Sequence, residues 1–276
     1  MMPTRRAAEK PTPLGRAGPA SYGRAMLQTE TRGAVTVLRL AHGKASALDL
    51  ELLRGLRAAV ERLAAASDVR ALVLTGSGSI FSAGVDLKRL LAGGRDYIER
   101  FLPELDACFL TLFGCDKPVV AAVNGHAIAG GCVLAACCDI RVMAAGGGRI
   151  GVPELRVGVP FPPAVVEILR FALPAQHVQE LLLRGRLCGP EEAIARGMVD
   201  EVVASEQLIE RALQVAEEMA AAPPLAFRLT KRELREPVLE RARATGGASR
   251  AALVEAWASA EVLGAVSSYV EKTLGR

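Results

Sequence analysis

Asn124-Gly125-His126-Ala127-Ile128-Ala129-Gly130-Gly131-Cys132 follows directly on the apolar run Pro118-Val119-Val120-Ala121-Ala122-Val123. The run reads as a short buried strand, and Asn-Gly as the turn that ends it. An earlier segment repeats the arrangement. The strand-like Ala71-Leu72-Val73-Leu74 ends at Gly76-Ser77-Gly78, and Phe81-Ser82-Ala83-Gly84-Val85-Asp86-Leu87 then leads into helical sequence. Glycine lets a backbone turn sharply and lets another group approach it closely. A helix starting at such a turn leaves amide N–H groups unpaired and pointing outward. Two such amides, from two turns, can grip one oxygen that gains negative charge. Taken singly, each segment also fits a turn needed only for packing.

Working outward, Val35-Thr36-Val37-Leu38-Arg39-Leu40 alternates like a strand. Leu52, Leu53, Leu56, Ala59, Val60 and Leu63 fall at helical spacing over 50–63, with Asp49 as the expected N-cap. Ile140-Arg141-Val142-Met143 is a further strand, ended by Gly146-Gly147-Gly148. No Lys-Ser/Thr follows those glycines, so they form no phosphate loop. Strands alternating with helices predict an α/β core. Beyond Pro190 the pattern turns helical, over 205–221, 223–233, 248–262 and 264–274. Leu253, Trp257, Val262, Val266, Tyr269 and Leu274 form apolar stripes that must be covered by the chain's own core or by a second subunit. This divides the chain into a basic tail expected to be disordered (1–28), an α/β core (29–204) and a helical region (205–276).

Composition narrows the function. The chain has 276 residues, 51% hydrophobic and 23% charged, as in an ordinary globular protein. Aromatics make up 4%, too few for a stacking platform for nucleic acid. The net charge of +4 comes from Arg5, Arg6, Lys10, Arg16 and Arg24, set against Glu9; the remainder balances. A nucleic-acid face is therefore not expected. No run of 18 apolar residues points to a membrane span. The six cysteines (108, 115, 132, 137, 138, 188) lie in apolar stretches without zinc spacing and read as reduced core thiols. A cytoplasmic location follows, or an organelle matrix if the Arg-rich residues 1–26 are a transit peptide.

The two glycine turns, with Cys138-Asp139-Ile140-Arg141 and with Ile150-Gly151-Val152-Pro153-Glu154 before Gly158, resemble the crotonase (enoyl-CoA hydratase/isomerase) superfamily over about residues 30–276. The resemblance implies a spiral core of ββα turns, a C-terminal α-helical region that builds trimers or dimers of trimers, and an acyl-CoA thioester substrate. It implies no metal and no separate cofactor. It places the oxyanion-hole amides on Val85 and Gly130, beside Gly84 and Gly131. Lys44-Ala45-Ser46-Ala47-Leu48 resembles the loop lining the CoA channel, with Ala83 and Asp86 flanking it; alone, Lys44 reads equally as a solvated surface lysine. Residues 90–115 and Phe161-Pro162-Pro163 are expected to shape the acyl pocket. His126, His177 and Lys231-Arg232 read as structural or solvated residues.

The informative departure concerns the glutamates. Hydratases of the superfamily use two; here the first position is Val133 and the second is Glu154. Adding water asks for one group to activate the water and another route to protonate carbon. A 1,3-proton shift needs a single base. Ala129-Gly130-Gly131-Cys132 and Phe81-Ser82-Ala83-Gly84 also resemble the mitochondrial Δ3,Δ2-enoyl-CoA isomerases, which keep only the later glutamate. The resemblance therefore favours double-bond isomerisation with Glu154 as base and acid. A hydratase with a substitute acid, another crotonase reaction such as decarboxylation, and a silent CoA-binding scaffold stay open. The apolar surroundings of Glu154 (Ile150, Val152, Leu155, Val157, Val159) predict a raised pKa.

Overall fold

In the computed structural model, which describes residues 26–274, the chain advances in repeating turns. A hairpin of β1 (Leu27–Arg32) and β2 (Val35–Leu40) leads into α1 (Leu50–Ala65). Three ββα turns follow. They are β3 (Ala71–Thr75), β4 (Ile80–Ser82) and α2 (Leu87–Phe113); β5 (Val119–Val123), β6 (His126–Ile128) and α3 (Gly130–Cys137); β7 (Ile140–Ala144), β8 (Ile150–Gly151) and α4 (Glu154–Val157). Then come α5 (Pro163–Ala172), α6 (Ala175–Arg184), β9 (Leu187–Cys188), α7 (Pro190–Ala195) and β10 (Glu201–Val203). The chain closes with α8 (Leu208–Ala220), α9 (Pro224–Trp257) and α10 (Ala260–Leu274).

Each ββα turn gives its first strand to one sheet and its second to another. The six-stranded sheet runs β1-β2-β3-β5-β7-β10, and the four-stranded sheet runs β4-β6-β8-β9. Within the turns all pairings between neighbours are parallel. This is the expected spiral of ββα turns. In the larger sheet the inner parallel strands, β3, β5 and most of β7, are buried on both faces, as parallel strands are, while the antiparallel edge strand β1 is mostly exposed. Leu38, Leu40, Leu72, Leu74 and Val123 enter the main core, while Val35, Val37, Ala71, Val73 and Val142 pack under Leu208, Ala212 and Ala216 of α8. The alternation in β2 thus separates two cores rather than core from solvent.

Asn124-Gly125 does more than end β5. The Asn124 side chain accepts from Gly76 N (2.8 Å) and donates to Gly78 O (2.9 Å), clamping the β3–β4 turn to the β5–β6 turn. A Cβ on Gly125 would lie 1.8 Å from Ser79 O, so only glycine fits there.

Several boundaries differ from the sequence reading. β1 begins at Leu27, so Leu27 and Gln28 belong to the core sheet rather than to the tail; most of that tail, with the transit-segment reading, lies outside the described residues. Asp49 caps α1 as expected, accepting from Leu52 N at 2.8 Å. Residues 205–207 form a 3-10 turn before α8. The stretches 223–233 and 248–257 belong to one helix, α9, which runs through Pro237 and Gly246-Gly247. Tertiary anchoring overrides their low helix propensity. Lys231, expected to be solvated, is buried and donates to Asp139 Oδ2 (2.6 Å) and Lys117 O (2.8 Å). Arg235 pairs with Asp139 Oδ1 at 2.7 Å, donates to Phe113 O and Cys137 O, and stacks 4.3 Å over the Phe113 ring. The final break falls at Ala258-Ser259, not near 263, because Ser259 Oγ accepts from Val262 N (3.2 Å) and caps α10. Trp257 and Val266 are buried in the main core, so part of the apolar stripe is covered within the chain. All six cysteines are free and buried.

Candidate active site

The two glycine turns meet. A Cβ on Gly84, where φ is +79°, would lie 3.0 Å from Gly130 N and 2.7 Å from Ile128 O. The residue before Gly130 is strained: Ala129 has φ +52° and ψ −123°, a conformation L-residues avoid. Its N–H donates to Gly151 O at 2.8 Å, which holds the turn in place. The 45–48 loop is stitched to the other turn. Ala83 N donates to Ala45 O (3.0 Å), Leu48 N to Gly84 O (2.7 Å), and Asp86 N to Leu48 O (3.0 Å). Ser82 Oγ donates to Ser46 O (2.8 Å). That pattern uses Gly84 O and Asp86 N, on either side of Val85, and passes over the Val85 N–H. Gly130 opens α3, so its N–H has no partner inside the helix.

Val85 and Gly130 share a cavity of about 70 Å³ with Glu154, Val133 and Ala83. Leu105 and Phe109 of α2 and Pro162, from the two stretches expected to shape an acyl pocket, line it too, while Phe161 and Pro163 do not. Trp257 and Tyr269, from α9 and α10, line it as well. Nothing in the sequence reading marked those two as site residues; their apolar spacing had signalled only packing.

Glu154 is the first residue of α4, the short turn that ends at Gly158 in a left-handed conformation. Its Oε2 atom is buried without a hydrogen-bond partner. Burial pushes its pKa up to about 7, against the opposing effect of its own backbone N–H. Of the apolar neighbours in sequence, Ile150, Val152, Val157 and Val159 are buried, Val157 and Val159 lining the cavity with Glu154, while Leu155 is exposed. Val133 is 1% exposed and presents hydrocarbon to the same cavity.

The remaining expected residues lie elsewhere. Asp86 caps α2, accepting from Arg89 N at 3.0 Å. A Cβ on Gly131 would lie 2.2 Å from Ser82 O, so this glycine lets α3 pack against β4 and does not line the cavity. Lys44 is exposed and lines an open groove with His42 and Ser77. Ala47 sits in the stitched loop, half-buried. His126 lies in β6 and His177 in α6, both outside the cavity.

In chemical terms the cavity brings the backbone of Val85 and Gly130 together with one carboxyl whose pKa lies near neutrality. Such a set can hold an oxyanion and move a proton on an adjacent carbon.

Comparison with known proteins agrees in family and divides on the reaction. A family model described as "Enoyl-CoA hydratase/isomerase" matches residues 30–274. A Thermus thermophilus protein bearing a provisional enoyl-CoA hydratase name is 37% identical over 210 residues, 75% of this chain and 82% of its own. The mitochondrial enoyl-CoA delta isomerase 1 of Mus musculus is 31% identical over 215 residues, 77% of this chain and 74% of its own. The crystal structure of human mitochondrial delta3-delta2-enoyl-CoA isomerase superposes with a TM-score of 0.87 at 27% identity, covering 91% of this chain and 99% of that one.

Proposed function

Because the chain belongs to the enoyl-CoA hydratase/isomerase (crotonase) family, we propose that it moves the double bond of a 3-enoyl-CoA to the 2-position. The observation that carries this reading is the single carboxyl, Glu154, in a cavity it shares with the Val85 and Gly130 amides and the hydrocarbon of Val133. The two N–H groups hold the thioester oxygen as it gains charge, which stabilises the dienolate. Glu154 takes a proton from C2 and returns it to C4. One base is enough for both transfers, and neither needs water. The coenzyme A is part of the substrate, and no metal enters the scheme.

Glu154 acts first as a base, so it must be ionised. With its pKa raised to about 7, kcat/KM for isomerisation rises with pH through about neutrality and then levels. The direct test offers 3-enoyl-CoA and 2-enoyl-CoA to the enzyme side by side. Isomerisation faster than hydration, abolished in Glu154→Gln, supports the reading; efficient hydration with no isomerisation refutes it. Hydration is the second reading, favoured by the relative with a hydratase name. Exposed Leu225, Leu229 and Leu234 on α9 support a trimer, or two trimers paired. Light scattering that finds a stable monomer at micromolar concentration refutes that assembly.

A further inference from the structure

Aromatic rings from α2, α9 and α10 wall the cavity that holds Glu154. On α2, Leu105 and Phe109 lie one turn apart on the same face, and both line the cavity. A Cβ on Gly130 would lie 3.6 Å from Cζ of the Phe109 ring, so this ring stands against the amide turn itself. Trp257, the last residue of α9, is held in place because its Nε1 donates to Pro160 O at 3.0 Å. The C-terminal helix supplies the next wall. A Cβ on Gly158 would lie 2.6 Å from the Cβ of Ala265, so α10 rests directly on the residue that ends α4. Tyr269 lies four residues further on, on the same helix face, and lines the cavity. Leu105, Phe109, Val165 and Trp257 are all buried, so protein rather than solvent stands behind them.

The space these walls leave is about 70 Å³. A cavity of ~150 Å³ takes up a benzene ring, so half that volume takes roughly three or four carbons. We propose that Phe109 and Trp257 set the length of the substrate, and that the enzyme acts on short-chain 3-enoyl-CoA, butenoyl or hexenoyl, and discriminates against longer chains. The proposal rests on the acyl-CoA reading above. A thioester oxygen at the Gly130 amide starts the acyl chain beside Phe109, because that ring stands against the same glycine. The carbons between which the double bond moves then fill the cavity. Further methylenes have to displace a ring that is packed in the core, and Trp257 is tied to Pro160 as well.

The test has a binding arm and a kinetic arm. Calorimetric titration with the saturated butanoyl-CoA and decanoyl-CoA reads the pocket without any reaction. Isomerisation of 3-butenoyl-, 3-hexenoyl- and 3-decenoyl-CoA reads it during turnover. Decanoyl-CoA is expected to bind about tenfold more weakly than butanoyl-CoA, and kcat/KM to fall about tenfold or more from hexenoyl to decenoyl. Phe109→Leu removes the ring and is expected to raise the decenoyl-to-hexenoyl ratio of kcat/KM about tenfold. If that variant folds poorly, Trp257→Phe serves with the same expected shift. A ratio taken on one preparation does not depend on how much of it is folded. Equal binding of the two saturated thioesters overturns the proposal, as does a kcat/KM that is flat or highest at decenoyl, or a ratio unchanged in both variants. No binding of either thioester refutes the acyl-CoA reading and the proposal with it. Chain-length discrimination in binding without isomerisation at any length refutes the isomerase reading alone.

Discussion

Replacing Glu154 by Gln is expected to stabilise the protein above neutral pH while it removes activity. The side chain keeps its shape, so the effect is electrostatic. Burial raises the Glu154 pKa from an ordinary 4.5 to about 7. The folded protein therefore binds this proton more tightly than the unfolded chain does. Its stabilising contribution is complete below about pH 4.5 and is lost as pH rises towards 7. Each pH unit in that window costs ~1.4 kcal/mol, and the whole shift corresponds to about 3 kcal/mol. Water entering the cavity reduces this figure, so it is an upper bound. Glutamine has no proton to lose. Asp106, also pushed up by burial to about 6, is present in both proteins and cancels in the difference. Urea denaturation at fixed protein concentration, from pH 5 to pH 9, measures the gap between the two. It should be small at pH 5, widen in favour of the glutamine variant up to about pH 7, and stay flat beyond. A gap that is constant across this range would mean that Glu154 titrates as an ordinary surface carboxylate. The case for a neutral-pH base would then fail.

Gly131→Ala should destabilise by about 1–3 kcal/mol or more, because the new methyl would lie 2.2 Å from Ser82 O; thermal denaturation checks this, and a variant as stable as wild type refutes the packing assignment. Asp86→Ala should cost about 1 kcal/mol through the lost α2 cap and leave KM unchanged; a large rise in KM would restore it as a substrate contact. Asp139→Asn leaves Lys231 and Arg235 buried without their counter-charge, a loss of about 3–5 kcal/mol readable as a lowered urea midpoint. Val133→Glu should raise hydration of 2-enoyl-CoA at a stability cost of about 1–3 kcal/mol; unchanged hydration would show that the position does not face the reacting water.

The sequence by itself determined the parts of the protein that depend on neighbours along the chain. Buried strands announced themselves as Ala71–Leu74 and Val119–Val123, the cap of α1 as Asp49, and the two glycine turns as runs of small residues before helices. Glu154 was legible because an acid set among Ile150, Val152 and Val157 must be either paired or shifted. The tertiary structure decided what depends on residues far apart in sequence. That Gly131 faces Ser82, that Asn124 clamps the preceding turn, and that Lys231 reaches Asp139 follow from how successive spiral turns stack. Local pattern carries no such information. The same holds for α9, where Pro237 and Gly246-Gly247 look like breaks until Val238, Leu239 and Ala242 are seen buried. It holds above all for Tyr269, an apolar-stripe residue in sequence. Only the seat of α10 on Gly158 makes it a wall of the site, because a helix face has no meaning until the surface it packs on exists.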